Sequence, residues 1–459
     1  MTGNELGKAK HLMEQGGESS RKLGYVSQDR ISELPEALLL HILSLIPTKN
    51  VIATSALSKR WRSLWKMVSR LEFESYGNIY KYSENVTKSL LSHKAPILES
   101  LHLALTSDHI DGVYVGVLAT VAFARNVREF VLDLRVYHGP PVRLPISLFC
   151  FDTLETLKLK NQVLLDVHSP VSMKSLRTLH LQGVVYKGDE SVRNLFASCP
   201  YLEHLVVHRG PFSDNVVDFT IEAPSLKTFS LNDSSSAGEN RRYVIKAPSL
   251  KYLEIVSLIC HEFILIENAS ELVEATIRNV EQIGNENILG YVKSVKRLSL
   301  DFLALQITCP TEVIYSQLVY LEMYTHKLEW WTLLTLMLDS SPKLQVLKLI
   351  DHCLHQRSLE FKKQYKEQGT WNQPKDVPEC LLSHLETFVW RNCNWGREEE
   401  KEVATYILRN ASQLKKATFS TDPIEPKRLY KLATRKRMRN ELDDVVRASS
   451  SCHLVFEFE

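Results

Sequence analysis

The sequence predicts an α+β solenoid: a short helical block, then a long stack of strand-bearing repeats. Two observations carry that class. A leucine-x-x-leucine-x-leucine pattern recurs through most of the 459 residues, and the segment before it has helical rather than strand periodicity. Composition removes competitors. Glycine, 17 in 459, stands at about half its usual ~7 % share, which leaves few places for bare amides to cradle a phosphate. The formal charge of +2 argues against coating nucleic acid or an acidic membrane. Length alone suggests roughly three domains.

The first 27 residues are polar and lack a signal-peptide core, so they are expected to be disordered. Residues 29–72, DRISELPEALLLHILSLIPTKNVIATSALSKRWRSLWKMVSRLE, read as three short helices. Pro35 opens the first, with Leu38, Leu39, Ile42, Leu43 and Ile46 at helical spacing, and Pro47 stops it because it lacks an amide donor. Thr48 or Asn50 is positioned to cap the second, and Ser58 to begin the third, which carries Trp61, Leu64 and Trp65. A first helix apolar nearly all round must be buried on more than one side. Either the following repeats or a partner covers it, and the pattern alone favours neither.

From Leu98 the repeat takes over: LESLHL (98), LETLKL (154), LRTLHL (176), LEHLVV (202), LKTFSL (226), LKYLEI (250), VKRLSL (295), LVYLEM (318) and LQVLKL (344), with looser copies at Val127, Leu272, Leu385 and Leu414. Between 154 and 344 the starts lie 22 to 26 residues apart, within the ~20–29 range of leucine-rich repeats. Pro96, Pro200, Pro224, Pro248 and Pro342 stand two places before a repeat, where a fixed φ suits strand entry. The polar stretch after Leu344 is expected to interrupt the stack. Beyond it come strand-like LETFVW and LKKATF, the amphipathic REEEKEVATYILRNA with acids in its first turn, a basic segment at 427–439, and an alternating CHLVFEF.

No standard nucleotide-binding, metalloprotease or serine-hydrolase motif is present. The eight cysteines are at least thirteen residues apart, a dispersal that fits free thiols in a reducing compartment, cytoplasmic or nuclear. His352, Cys353, His355, Cys380, His384 and Cys393 are ligand types at no standard zinc spacing. His204 and His208, on one strand, are about 13 Å apart and cannot share a metal as a pair. The longest apolar segment, Trp330–Leu338, is too short to span a bilayer. Arg435–Arg439 reads as a solvated helix face ahead of a localisation signal or nucleic-acid patch. In each repeat the leucines point inward and the third, fifth and seventh places face the open side. Thr156, Lys158, Lys160, His180, Arg297, Glu322 and Lys348 fall there, and Tyr252, Tyr320 and Tyr324 are the best anchors for a protein target.

The helical block resembles the F-box motif, through Leu34-Pro35, Ile46-Pro47, Val51 and Leu57-Ser58-Lys59-Arg60-Trp61. Residues 377–419, VPECLLSHLETFVWRNCNWGREEEKEVATYILRNASQLKKATF, resemble the FBD domain of plant F-box proteins. Over residues 29–459 the chain therefore resembles a plant F-box/FBD/LRR-repeat protein. The resemblance implies an F-box at 28–74, a leucine-rich-repeat region at 75–370, and an FBD domain with its C-terminal strand at 371–459. It implies a substrate receptor of an SCF-type (Skp1–cullin–F-box) ubiquitin ligase, with no catalysis of its own. Leu34, Pro35, Leu38, Ile42, Ile46, Pro47, Val51, Leu57 and Trp61 would form or support the surface for a Skp1-like adaptor, and through it cullin and a RING subunit. The repeats would hold an unknown protein substrate. Hormone-receptor relatives of this class hold a polyphosphate cofactor, but Lys158 and Lys160 lie in a unit distant from that of Arg297, so no cofactor is expected. The rival reading is a protein-binding scaffold that acts without ligase assembly.

Overall fold

The computed structural model describes residues 31, 33–76, 79–137, 139–144, 152–169, 171–210, 216–234, 241–258, 263–280, 288–302, 313–325, 330–351, 371–393, 395–421 and 430–457. The polar N-terminus lies outside these residues, as do His352, Cys353 and His355 and most of the polar stretch after Leu344.

The helical block forms Glu36–Ser44, Thr48–Ala53 and Lys59–Leu64, the latter two each continued by a 3₁₀ turn. Its core is Leu39, Leu43, Val51, Trp61, Leu64, Trp65 and Val68. Ser58 precedes the third helix in extended conformation, as expected of a helix start. The cap of the second helix differs from expectation. Pro47, with its backbone fixed at φ −55°, takes the cap position, and Thr48 begins the helix with no capping bond. The buried Thr48 hydroxyl instead accepts the backbone N–H of Glu72 at 2.6 Å.

That bond reaches into a fifteen-stranded, all-parallel sheet running from Arg70–Tyr76 to His453–Glu457 in chain order. Every repeat start supplies a strand, the looser copies included: Val127 leads into Glu129–Val136, Leu272 into Glu274–Val280, Leu385 into Thr387–Arg391 and Leu414 into Lys416–Ser420. The pattern works because side chains alternate along a strand. Leu157, Leu159, Leu179, Leu181, Leu205, Leu321 and Leu347 are at most 2 % exposed, each worth roughly 1.5–3 kcal/mol of burial. Residues between them face the open side.

Two departures concern this sheet. Its first strand comes from the end of the helical block, Arg70–Tyr76, which pairs with Ser100–Ser107 although no repeat hexapeptide marks it. The expected interruption after Leu344 does not break the sheet, since Val346–Ile350 pairs directly with Thr387–Arg391.

The leucine face is covered by a second layer. Helices Ile79–Ser92, Gly112–Phe123, Asp189–Ala197, Trp330–Ser340, Glu398–Asn410 and Tyr430–Asp443 contribute to it, with two three-stranded sheets. The larger of these is Asp218–Glu222, Arg242–Lys246 and Phe263–Glu267, also parallel. Between the layers Phe219 meets Tyr186 and Tyr243 at ring separations of 5.3 and 5.6 Å. Fully buried Asp233 accepts from the Tyr243 hydroxyl and is paired with Arg241 at 3.2 Å. Left-handed turns fall mainly to asparagine rather than glycine: Asn126, Asn161, Asn268, Asn279 and Asn392 all have positive φ, which their short polar side chains tolerate. Among the described residues no helix is long and apolar enough to cross a membrane.

Candidate functional site

The first surface is on the helical block. Its first helix alternates between a core stripe and an exposed one, because residues three or four apart share a face. Leu39 and Leu43 are buried, whereas Leu38 is 50 % and Ile42 44 % exposed. Leu45, Ile46 and Leu57 extend the exposed apolar side, and Pro35 and Pro47 are exposed beside them. The nine residues singled out from the sequence thus divide. Val51 and Trp61 are buried in the bundle, Leu34 packs against it half-buried, and the other six face outward. The Arg60 guanidinium donates to the Leu34 carbonyl at 2.7 Å, pinning the Leu-Pro entry to the third helix. So many large apolar side chains left outside a core of seven residues mark a surface for another protein.

The second surface is the open side of the long sheet. Tyr252 is 49 % exposed there. Tyr320 is half-buried, with the Arg297 guanidinium 4.0 Å from its ring centroid. Tyr324 departs from the expectation of an exposed anchor: it is 6 % exposed, and its hydroxyl accepts from Arg278 at 3.1 Å. Glu322 joins this group. It accepts from Lys348 at 2.6 Å, from the Tyr320 hydroxyl at 3.1 Å and from the Ser299 hydroxyl at 3.2 Å. Burial by itself would raise the Glu322 carboxyl, but these donors outweigh it and hold the group below its ordinary value. Burial, then the Glu322 charge, pushes the Tyr320 phenol up to about 12. A hollow of about 220 Å³ lies over Arg278, Arg297, Ser299 and Tyr320. The network fixes these side chains before any partner arrives.

Of the ligand-type residues within the described regions, Cys380 and Cys393 are buried thiols. Burial lifts Cys380 to about 12 and Cys393 well above the usual range, which makes both inert. Among the described residues no three ligating side chains gather to hold a metal. From Tyr430 onward the basic segment is in the helix Tyr430–Asp443, part solvated and part packed. Met438 and Leu442 are in the core, Arg435 donates to the Thr421 hydroxyl, and Arg437 donates to the Trp395 carbonyl.

One group escaped the sequence reading. Glu400 stands in the first turn of Glu398–Asn410, where an acid is ordinarily a solvated complement to the helix dipole. Here it is 0 % exposed. Burial raises its carboxyl to about 7; the Arg397 guanidinium 3.9 Å away opposes the shift and Asp351 adds to it. The neighbouring Glu398 and Glu399 look identical in sequence, so only the packing of Arg397 and Cys393 distinguishes the buried one.

Comparison with known proteins assigns the helical block, the repeats and the C-terminal region to known families. The F-box domain family matches residues 31–73, the FBD family 373–419, and the family described as "FBD-associated F-box protein At5g56370, LRR repeats" residues 114–275. The chain is 73 % identical over 452 residues to the F-box/FBD/LRR-repeat protein At3g51530 of Arabidopsis thaliana, covering 98 % of each. It is 55 % identical over 453 residues to At4g00160 and At3g52680 of the same organism, which bear the same family name; the match covers 97 % of this chain in both cases, and 98 % and 97 % of those proteins. These names are those of F-box and repeat proteins, not of enzymes.

Proposed function

The chain belongs to the F-box/FBD/LRR-repeat proteins of plants, and on that premise we propose that it is the substrate-recognition subunit of an SCF-type ubiquitin ligase. The observation that carries the reading is the outward apolar stripe Leu38, Ile42, Leu45 and Leu57 above a separately satisfied core. A Skp1-like adaptor covers that stripe and links the chain to cullin and a RING subunit. Val51 and Trp61 act from beneath, by holding the helices that present it.

The parallel sheet supports a solenoid whose last strands, in the FBD region, close its far end. Its open side takes the protein substrate, with Tyr252 and Tyr320 as anchors. The protein performs no covalent chemistry itself. This reading sets it in the cytoplasm, the nucleus or both; the four described cysteines, free and buried, accord with a reducing compartment.

The test is co-purification of the full chain with a Skp1-like protein and cullin. Both should be recovered, and removal of residues 29–72 should release both. Recovery of bound proteins through the repeats with neither adaptor nor cullin would identify a scaffold instead.

A further inference from the structure

Three neighbouring strands of the long sheet, Thr156–Asn161, Thr178–Gln182 and His204–Arg209, contain no acidic residue. Their open side carries Lys158, Lys160, His180, His204 and His208. Lys158 is occupied by Glu129 at 2.7 Å, and His204 by the Thr228 hydroxyl at 2.8 Å. Lys160, His180 and His208 have neither a hydrogen bond nor an ion pair to another described residue. Register brings them together: Lys158 lies beside His180, and Lys160 shares a row with Gln182 and His208. Two other carboxylates border the group and both are taken: Asp133, beside Lys160 across the ladder, by Arg135 at 2.9 Å and the Asn161 amide, and Glu203 by Lys227 at 2.5 Å.

A hollow of about 360 Å³ opens beside Lys160, between the helical block at Ile46 and Thr48 and the first strands at His102 and Val131. Its other charges are already matched. Glu72 faces His102 at 3.0 Å, Glu129 faces Lys158, and Arg70 faces Glu99 at 3.6 Å. The His102 Nε2 is buried there without a hydrogen-bond partner. The far half of the sheet differs, because Glu254, Glu274 and Glu322 neutralise Arg278, Arg297 and Lys348. Lys160, His180 and His208 thus form a group of unpaired basic side chains next to a hollow of side-chain size, whereas Arg391 and Lys416, also without an ion pair to another described residue, stand on strands far from it.

We infer that this stretch receives an anionic segment of the substrate, a peptide bearing carboxylates or phosphates, with Lys160, His180 and His208 as its charge partners. The inference rests on the substrate role proposed for the open face. It also carries a proton linkage. Burial, then Lys158, Lys160 and His208, lowers the His180 pKa, opposed only by Glu129. An anion bound beside it reverses the electrostatic part of that shift, so binding takes up a proton and tightens as pH falls.

The experiment uses the full chain with its adaptor and three labelled peptides: glutamate-rich, its phosphoserine counterpart, and a neutral glutamine version. Fluorescence anisotropy should show the anionic peptides binding and the neutral one not, with the two anionic peptides separating the carboxylate and phosphate sources. Affinity should fall with added salt and rise severalfold from about pH 8 to about pH 6. Lys160→Ala combined with His208→Ala should weaken binding about tenfold, with unchanged circular dichroism. Lys174→Ala, on an exposed turn, should leave binding intact, and His180→Gln should reduce the pH dependence. Equal binding of the neutral peptide, indifference to the double substitution, or displacement by lower concentrations of RNA or inorganic polyphosphate would overturn the inference. Adaptor binding is scored in the same preparation: its loss refutes the ligase reading, whereas adaptor binding without peptide preference refutes only this site.

Discussion

Leu38 and Leu39 are chain neighbours on one helix with opposite fates: the first is half exposed and the second is buried against Val51 and Trp61 in the core of the helical block. One is free to bind and the other is needed to fold. Leu38→Asp should abolish recovery of a Skp1-like adaptor with no loss of thermal stability. Leu39→Ala should cost about 2–5 kcal/mol, and so lose the adaptor by melting the block. Pull-down and thermal unfolding on both variants separate the two routes.

Thr48 ties the helical block to the sheet through the Glu72 backbone amide. Thr48→Val keeps the shape and leaves that amide unpaired, at a cost of about 1–3 kcal/mol. Hydrogen exchange should speed up at Glu72 and its neighbours, while strands beyond Glu129 keep their protection.

Tyr252, at the third place of its repeat, and Tyr324, at the seventh, both fall at open-side positions, but packing separates them. Tyr252→Ala should shift stability by no more than about 0.5 kcal/mol and weaken substrate capture. Tyr324→Ala removes a buried ring and the Arg278 bond, so it should lower stability by roughly 2–4 kcal/mol. Denaturant unfolding distinguishes them.

Glu400 makes stability depend on pH in a stated direction. Its folded pKa of about 7 lies above the model-compound value of 4.5, so the folded protein holds this proton more tightly than the unfolded chain. That contribution is complete below about 4.5 and is lost as pH rises through about 7. Glu400→Gln should therefore stabilise the protein by roughly 2 kcal/mol at about pH 8 and have little effect near pH 4.5. Unfolding measured across that range would refute the assignment if the variant and parent curves stayed parallel.

The long sheet was legible because burial of one face imposes a period of two that leucine reports directly. Even the looser copies at Val127 and Leu414 landed on strands. The first strand, Arg70–Tyr76, was not legible, since it borrows its partners from Ser100–Ser107 and has no hexapeptide of its own. The second-layer strands Asp218–Glu222 and Arg242–Lys246 do alternate, with Phe219, Ile221, Tyr243 and Ile245 inward, but they are too short to stand out between repeats. For the helical block, motif resemblance named the right segment without separating outward Leu38 from buried Trp61, which depends on how the three helices pack. The basic stretch on the sheet was hidden for a related reason. Lys160, His180 and His208 are in three different repeats and meet only across the ladder.

Parallel strands about 4.8 Å apart turn the sheet into a ruler. Fifteen of them, anchored to the helical block by their first member, place the last strand on the order of 65 Å away along the sheet. A target gripped near Thr156 and one gripped near Tyr320 would therefore stand at different heights above the adaptor. In the proposed ligase, each repeat between them would set how far a target's lysines lie from the incoming ubiquitin. Inserting or deleting one repeat would move that distance by a fixed step without altering either binding surface.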